Sequence, residues 1–272
     1  MARVWFITGS SRGLGFAITE AALKAGDKVI ATARNASVLV CFQKEFGDNI
    51  YPISLDVTNK DQVSKAVAEG HKKFGRLDVV VNNAGYANTV GVEDIEIEDF
   101  ENQVNTNFLG VVYVTKAVLP ILREQASGYI FQVSSLGDRL GAPGLSAYQS
   151  VKWAVSGFST VLSQEIAPFG IKLTVLEPGG IKTDWAGSSM KVPPVSEPYK
   201  QTVGAFAEFL KSSDGGPSRP EKIAEIIFKL LNEKESPLRL LIGSDAASYG
   251  AQVAKELAER DAKWNYLTLQ SS

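Results

Sequence analysis

The chain contains almost no cysteine and almost no histidine: its 272 residues include one of each, Cys41 and His71. A single cysteine excludes an internal disulfide and suits a reducing compartment. The apolar neighbours of Cys41 predict that it is a small buried hydrophobic residue. A single histidine excludes a multi-histidine metal site and disfavours a histidine-based catalytic triad. We therefore expect no bound metal.

The sequence also lacks an excess of charge of one sign and long apolar runs. Its formal net charge at pH 7 is −2, so no basic field points to nucleic acid. No apolar run approaches the roughly 18 residues of a membrane span, and Met1–Arg3 lead directly into an apolar segment instead of a secretory leader. We expect a cytoplasmic protein with neither a nucleic-acid nor a membrane partner.

Strand-like and helix-like segments alternate along the chain. Apolar, β-branched runs typical of buried parallel strands lie at 4–8, 28–32, 50–55, 77–81, 129–133, 172–176 and 238–242. Amphipathic helices are predicted at 16–25, 37–46, 60–74, 97–123, 146–167 and 220–232. This alternation predicts an α/β fold: one Rossmann-type, doubly wound parallel sheet of about seven strands, in a single domain over residues 1–272.

Two segments depart from the alternation. Residues 185–219 are rich in proline and glycine and carry apolar residues at helical spacing near 199–210. A long insertion of this kind predicts a substrate-binding loop or lid. The segment 244–264 predicts a further C-terminal helix with an apolar stripe at Ala246, Tyr249, Val253 and Leu257.

The first predicted strand runs into a glycine-rich turn with the spacing Gly9-x-x-x-Gly13-x-Gly15. Gly9 permits a tight turn, Gly13 lets a pyrophosphate approach the backbone, and Gly15 lets the following helix pack on the sheet. The positive end of that helix dipole then faces the anion. The turn alone is also compatible with a ligand-free strand–helix junction.

A second constellation consists of Ser135, Tyr148 and Lys152. Residues four apart share a helix face, so the phenol of Tyr148 and the ammonium of Lys152 project into one space. A nearby ammonium favours the phenolate and is expected to lower the tyrosine pKa from its usual value near 10. Ser135 follows the predicted strand 129–133, so it lies at a carboxyl strand end, where its hydroxyl could orient a substrate carbonyl.

Together these residues resemble the short-chain dehydrogenase/reductase family over residues 4 to about 183. Further segments resemble family motifs in the family's order: Asp56-Val57, Asn82-Asn83-Ala84-Gly85, Asn107 in Asn107-Phe108-Leu109-Gly110, and Pro178-Gly179-Gly180-Ile181-Lys182-Thr183. The family's serine lies thirteen residues before its tyrosine, which selects Ser135, with Ser134 as the alternative.

The resemblance implies a role for each of these residues. Tyr148 would be the general acid/base, Ser135 would polarise the carbonyl, Lys152 would lower the phenol pKa and bind the nicotinamide ribose, and Asn107 would hold a water next to Lys152. The cofactor contacts that it implies are Gly9, Ser11, Arg12, Gly13, Leu14, Gly15, Arg34, Asp56, Val57, Asn83, Ala84, Gly85, Tyr148, Lys152, Pro178, Gly179, Ile181 and Thr183.

The end of the second strand predicts the choice of cofactor. NAD-binding chains of this type place an acidic residue there to bind the ribose 2′-hydroxyl, but this chain has Ala33 followed by Arg34. With Arg12 in the glycine turn, Arg34 could form a fork around a 2′-phosphate. We expect NADP(H).

The candidate substrate wall is apolar. Its residues are Leu136, Tyr86, Ala142, Trp185, Met190 and Phe206, with Leu140 and Val90 nearby. Such a pocket suits a hydrophobic ketone, aldehyde or secondary alcohol. The resemblance thus implies an NADPH-dependent carbonyl reductase, closest to members that act on steroids, retinoids and bulky ketones. Trp153 is expected in the core or in an interface.

Two other functions remain open. The chain could be a regulatory protein that senses NADP(H), or it could catalyse epimerisation or dehydration with retained cofactor. The C-terminal end departs from the closing segment of many tetrameric family members, so we expect a dimer more than a tetramer, through the helices at 97–123 and 146–167.

Overall fold

The structure is a computed structural model that describes residues 2–183, 190–213 and 215–271. The strands span Val4–Thr8 (β1), Lys28–Ala33 (β2), Ile50–Ser54 (β3), Val79–Asn82 (β4), Gly128–Val133 (β5), Ile171–Pro178 (β6) and Arg239–Ile242 (β7). They form one seven-stranded sheet in the order β3-β2-β1-β4-β5-β6-β7, and every pairing is parallel. The predicted doubly wound α/β fold is confirmed.

The strand order reverses between β1 and β4. The chain builds outward through β2 and β3, returns to the centre, and builds outward again from β4 to β7. The connections that leave β1 and β4 therefore diverge, and a crevice opens beyond their carboxyl ends. Ligands of doubly wound sheets bind at this switch point.

The helices span Gly13–Lys24 (α1), Val40–Phe46 (α2), Lys60–Phe74 (α3), Ile97–Val104 (α4), Gly110–Glu124 (α5), Ser146–Ile166 (α6), Ala205–Ser212 (α7), Pro220–Leu230 (α8) and Ser244–Thr268 (α9). Successive strand residues face opposite sides of the sheet. Trp5 and Ile7 accordingly pack in one core cluster, under α1 and α8. Val4 and Phe6 pack in the other, under α3, α5 and α6.

The helix predicted at 97–123 is interrupted by a π turn, Asn105–Leu109, between α4 and α5. Within the described residues, the stretch Ile97–Glu124 is long and apolar enough to cross a membrane by length and composition alone. The expectation that no segment reaches this limit was wrong by that measure. In the fold, Val114 and Val118 of this stretch are fully buried in the core beside the sheet.

Two side chains are more exposed than their neighbours suggested. Cys41 is exposed, because α2 turns Phe42 toward the core. Trp153 is 55% exposed, because α6 buries the adjacent Lys152 instead, so the tryptophan does not lie in the core. Apolar neighbours in a sequence do not specify which face of a helix a residue occupies.

The C-terminal helix α9 extends to Thr268 and projects from the domain. Ala246 and Gly250 are buried, but Tyr249 and Leu257 of the apolar stripe are 54% and 46% exposed. The apolar stripe thus predicted a helix, but the rest of the described chain does not bury Tyr249 and Leu257.

The insertion after β6 returns to its starting point. Its two ends meet in a short parallel bridge between Ile181 and Ser218. The predicted helix near 199–210 consists of a 3₁₀ turn at Glu197–Tyr199, a π turn at Lys200–Gly204 and then α7.

Candidate active site

The glycine turn after β1 is held against the end of β4. Gly9 has a left-handed backbone, with φ of +70°, which glycine adopts without strain. The hydroxyl of Thr8 accepts hydrogen bonds from the backbone N–H groups of Asn83 and Ala84, at 3.0 Å each. The Asn83 amide donates to the carbonyl oxygens of Thr8 and Gly9, at 3.0 and 3.2 Å. The segment 82–85 therefore braces the turn.

The glycine turn is tightly packed at Gly15 and more open at Gly13. A Cβ on Gly15 would overlap the Gly9 carbonyl and the Asn83 amide. A Cβ on Gly13, whose φ is +57°, would lie 3.6 Å from the Thr183 methyl group, so Thr183 borders the same space. No side chain caps the first turn of α1 after Arg12. The backbone N–H groups there can face an anion.

The residues predicted to contact the adenosine end lie beyond β2 and β3. Ala33 is buried at the end of β2, and Arg34, which follows it, is exposed. The Asp56 carboxylate accepts hydrogen bonds from the backbone N–H and the hydroxyl of Thr58, at 2.9 and 2.8 Å. Val57 is buried beneath this turn. Ser11 is half-buried and Leu14 packs in the core.

The two adjacent serines after β5 face different partners. The Ser135 hydroxyl accepts a hydrogen bond from the Gly137 N–H at 3.0 Å and shares another with the Tyr148 phenol. The Ser134 hydroxyl is buried and donates to the Asp138 carboxylate at 2.7 Å. Only Ser135 therefore lies beside the tyrosine.

Tyr148 and Lys152 are both buried on α6, at 7% and 5% exposure. The Lys152 amine lies 5.4 Å from the centroid of the Tyr148 ring and donates to the Val133 carbonyl at 2.8 Å. Burial is the main influence on both groups: it raises the pKa of Tyr148 and lowers the pKa of Lys152 to about 8. The expected lowering of the Tyr148 pKa was wrong for this state, because desolvation of the phenolate outweighs its hydrogen bond with Ser135, and the Asp138 carboxylate raises the pKa further.

Asn107 lies in the π turn between α4 and α5 and is fully buried. Its side-chain oxygen accepts from the Tyr86 N–H at 2.9 Å, and its amide donates to the Tyr86 carbonyl at 2.8 Å. A Cβ on Gly85 would lie 2.7 Å from the Asn107 oxygen and 3.8 Å from the Lys152 amine. Asn107, Gly85 and Lys152 are therefore neighbours on one side of the crevice.

The segment after β6 is fixed from a distant part of the chain. Pro178 ends the strand, and the Gly180 N–H donates to the Asp245 carboxylate in the first turn of α9 at 2.8 Å. A side chain on Gly179 would overlap Asp245. Ile181 and Thr183 follow, both half-buried. The sequence reasoning missed Asp245, for which no local motif exists.

The surroundings of the Tyr148 ring are apolar. Tyr148 packs with Ala87, Leu145 and Met190, and Ala142, Val192, Phe206 and Leu210 pack against this cluster. Of the predicted wall residues, Ala142, Met190 and Phe206 lie here. Leu136 is buried in the turn after Ser135, Tyr86 borders Asn107, and Trp185 lies outside the described residues.

Four charged residues beside the site were also missed. The carboxylates of Asp138 and Glu177 are fully buried and pair with Arg139 and Arg239. A signal for two of them existed in the sequence, since Glu177 and Arg239 interrupt apolar strand segments. A charge in a buried strand requires a partner. Among residues 2–183, 190–213 and 215–271, no group of three or more His, Cys, Asp or Glu could hold a metal.

Comparison with known proteins assigns this geometry to one group. A family model described as short chain dehydrogenase matches residues 3–192. The oxidoreductase BOA17 of Botryotinia fuckeliana (strain B05.10) is 65% identical over 274 residues, and the match covers 100% of both chains. The crystal structure of a short-chain dehydrogenase from Streptomyces avermitilis has 33% identity and a TM-score of 0.94, again over 100% of both chains.

Two more distant structures contain cofactors. A serine dehydrogenase complexed with NADP+ has 27% identity and a TM-score of 0.77, over 88% of this chain and 94% of its own. A 3-ketoacyl-(acyl-carrier-protein) reductase from Brucella melitensis complexed with NADH has 26% identity and a TM-score of 0.75, over 89% and 96%. The group thus binds nicotinamide dinucleotides and includes members of both cofactor types.

Proposed function

The chain belongs to the short-chain dehydrogenase family and is an oxidoreductase, and from this premise we propose its reaction. It uses NADPH to reduce a ketone or aldehyde on a mainly apolar substrate, or NADP+ to oxidise the matching secondary alcohol. The observation that carries the proposal is the position of Ser135, Tyr148 and Lys152, which lie at the carboxyl end of β5. Lys152 lies beside Gly85, the last residue of the segment 82–85 that braces the glycine turn.

Tyr148 acts as the proton donor in the reducing direction. Its buried phenol has a raised pKa and is protonated at neutral pH, which is the form that gives a proton to a carbonyl oxygen. Ser135 shares a hydrogen bond with this phenol, and its hydroxyl can orient the same oxygen. The Lys152 ammonium then lies 5.4 Å from the ring centroid and stabilises the phenolate that remains.

The residues at the glycine turn fit a nicotinamide dinucleotide. Gly13 has a left-handed φ and is in no more than ordinary contact with Thr183, and the uncapped first turn of α1 can present its N–H groups to a pyrophosphate. Gly15 lets the start of α1 pack against the Gly9 carbonyl and Asn83. Thr183 and Gly85 would border the nicotinamide half. When bound, the cofactor supplies the hydride, and the protein supplies orientation and electrostatics.

A preference for NADP(H) is supported by the end of β2. Ala33 provides no carboxylate for a ribose 2′-hydroxyl, and the exposed Arg34 follows it. Arg12 precedes α1 in the glycine turn, on the neighbouring strand connection. Two guanidinium groups bind a 2′-phosphate through charge-assisted hydrogen bonds.

A mainly apolar substrate is supported by the cluster around Tyr148. Met190, Phe206 and Leu210 from the insertion belong to or pack against the cluster that contains Tyr148, and none of them can bind a carboxylate or phosphate by charge. The substrate's reacting carbonyl would lie at Ser135 and Tyr148, with its apolar body against the insertion.

The direct test is a panel of apolar and charged ketones and aldehydes, followed by the loss of NADPH absorbance. We expect turnover of apolar members with NADPH, a lower kcat/KM with NADH, and a kcat about 10²–10⁴-fold lower in Tyr148→Phe. Cofactor binding to that variant, measured by fluorescence, should remain within about twofold of wild type, because the phenol oxygen is a minor part of the cofactor contact.

The same measurement separates the other functions. An NADP(H)-sensing protein would bind the cofactor and oxidise none of it with any carbonyl. An epimerase or dehydratase would convert its substrate without net loss of NADPH. Equal or better use of NADH would contradict the cofactor preference.

A further inference from the structure

A buried, charge-balanced cluster lies directly behind the proposed catalytic residues. The side chains of Asp138 and Glu177 are 0% exposed, and those of Arg139 and Arg239 are 30% and 31% exposed. Arg139 pairs with Glu177 at 2.6 Å, Arg239 pairs with Asp138 at 2.8 Å, and Arg239 also bonds Glu177. Two carboxylates thus meet two guanidinium groups. Burying such charges is costly unless each is paired.

Asp138 connects three separate parts of the fold. One carboxylate oxygen accepts from Arg239 on β7. The other accepts from Ser134 at the end of β5, at 2.7 Å, and from Ser156 on α6. The backbone N–H of Asp138 also donates to the Ser135 carbonyl at 3.0 Å. One side chain therefore joins the serine turn, the tyrosine helix and the edge strand.

These contacts bear on the geometry of the site. Ser134 precedes Ser135, and Ser156 lies one helical turn beyond Lys152 and two beyond Tyr148, on the same face of α6. The Ser134 hydroxyl also lies 3.4 Å from the Lys152 carbonyl oxygen. A displaced Asp138 would let the turn that carries Ser135 move relative to the helix that carries Tyr148 and Lys152.

We propose that Asp138 is a positioning residue: with Arg239 as its counter-ion it fixes the Ser135 turn against α6. An electrostatic consequence accompanies this geometry, because the Asp138 carboxylate also favours the charged form of Lys152. The inference rests on the proposed function, since it takes Ser135, Tyr148 and Lys152 as the reacting groups. It assigns a role in the reaction to a residue that does not touch the substrate.

The charges around Lys152 give this proposal a pH signature. Burial lowers the pKa of Lys152 to about 8, and Asp138 opposes that shift. Asp138 itself faces Glu177 on β6 and Arg239 on β7, and Arg239 and the two serines oppose the effect of burial on its own pKa. Asp138 also raises the pKa of Tyr148. Neutralising Asp138 should therefore lower the pKa of both Lys152 and Tyr148.

The test compares Asp138→Asn with wild type in steady-state reduction over a range of pH. We expect kcat to fall about tenfold or more, because small misplacements of reacting groups are costly. The KM for NADPH should stay within about twofold, since Asp138 lies behind the protein groups and away from the phosphates. The alkaline limb of the kcat profile should move to lower pH.

A buried carboxylate at the opposite end of the sheet provides the matched control. Asp27 is 5% exposed and accepts hydrogen bonds from the Trp5 indole and the Arg3 N–H. Asp27→Asn should lower the melting temperature without moving kcat or the pH profile. If Asp27→Asn changed the profile as much as Asp138→Asn, the effect would be one of general stability, and the positioning role would be refuted.

A second variant covers the case in which Asp138→Asn does not fold. Ser156→Ala keeps every charge of the cluster and removes one hydrogen bond between α6 and Asp138. We expect kcat to fall about threefold to tenfold, in line with the loss of one typical hydrogen bond. The alkaline limb of the kcat profile should stay at its wild-type pH. An unchanged kcat in Ser156→Ala would contradict the positioning role.

Ionisation of Lys152 can be followed without any substrate. Carbon-13 labelling at lysine Cε, with the signal assigned by its absence in Lys152→Arg, reports the titration directly. If wild type reduces no carbonyl, the proposed reaction fails. A lower midpoint pH for the titration of Lys152 in Asp138→Asn would still support the electrostatic effect of Asp138 on Lys152. An unchanged midpoint pH would refute this electrostatic effect, whatever the activity of the variant.

Discussion

The two ends of the parallel sheet use polar side chains for opposite purposes. At the amino ends, Asp27 and Asp78 accept hydrogen bonds from the backbone of Arg3 and Val4, at 2.8 Å each. Asp27 also accepts from the Trp5 indole at 2.9 Å. At the carboxyl ends, buried Tyr148 and Lys152 have pKa values displaced by their burial.

The difference teaches where stability is gained and where it is given up. The carboxylates at the amino ends satisfy buried donors and fix the first strand, which stabilises the fold. The ammonium of Lys152 at the carboxyl ends has a lowered pKa, so its charged form is held at a cost. Strained or destabilised groups of this type are typical of functional sites.

The largest effect is expected from removal of the Tyr148 phenol oxygen, which tests whether the carboxyl ends of the strands serve the reaction more than stability. Tyr148→Phe should lower kcat by about 10²–10⁴-fold, the usual contribution of general acid catalysis. The melting temperature should change little, because the ring and its apolar contacts with Met190 and Leu145 remain. Stopped-flow turnover and thermal unfolding measure the two effects. A variant that kept wild-type kcat would remove Tyr148 from the reaction.

The next largest effect concerns the cofactor. Arg34→Asp should lower kcat/KM for NADPH by about 10–100-fold, as expected for lost hydrogen bonds between charged groups. The value for NADH should be unchanged or higher. The control is Arg123→Asp, an exposed arginine in the last turn of α5 with the same change of charge. Equal losses with both cofactors would show that Arg34 does not bind the 2′-phosphate.

Replacing the buried ammonium of Lys152 should stabilise the fold, whereas most mutations destabilise it. Lys152→Met should abolish turnover but raise the free energy of unfolding at pH 7 by about 1–3 kcal/mol, since no charge is then buried. The folded pKa of about 8 lies below the unfolded value of 10.5, so between these pH values the unfolded state binds more protons. Wild-type stability therefore rises with pH in this window, and the variant's advantage should disappear by about pH 11. Urea unfolding at several pH values measures this difference in the free energy of unfolding. If Lys152→Met were less stable than wild type at pH 7, burial of the Lys152 charge would not destabilise the fold.

At the amino ends the opposite outcome is expected. Asp27→Ala leaves the buried Trp5 indole and the Arg3 N–H without this acceptor. We expect a loss of about 1–3 kcal/mol in the free energy of unfolding with kcat per folded molecule unchanged. Denaturant titration and activity of the folded fraction test both parts. If Asp27→Ala lowered kcat without lowering stability, the amino ends of the sheet would not differ from the carboxyl ends in the way described.

The smallest effect should come from the projecting part of α9. Residues 251–270 are exposed apart from the half-buried Val253. Truncation after Gly250 keeps Asp245 and its bond to Gly180, so we expect a change below about 1 kcal/mol, typical of surface changes. A larger loss in a monomeric preparation would show that this helix packs against the domain in solution.

Much of the fold could be predicted because its signals are local. Each predicted strand lies within two residues of an observed one, since β-branched runs between glycines have few alternatives. The left-handed φ of Gly9 follows from its place in the turn. The exposure of Cys41, Trp153 and Leu257 could not be predicted, because helix rotation depends on what lies opposite.

The candidate site divides in the same way. The spacing of Tyr148 and Lys152 on one helix predicted their proximity, but the raised pKa of the phenol depends on how much protein covers it. Asp138, Glu177 and Arg239 are up to 101 residues apart and meet only in the folded chain. Asp245 likewise reaches Gly180 across 65 residues.

The sequence by itself determined the order of strands and helices, the glycine turn and the residues able to move a proton, because each of these depends on neighbours within a few positions. Tertiary structure alone decided how far burial displaces the pKa values of Tyr148 and Lys152, and which charges balance one another behind them. The reason is physical: desolvation and ion pairing depend on all the atoms within several ångströms of a group, and chain folding brings most of those atoms from distant positions.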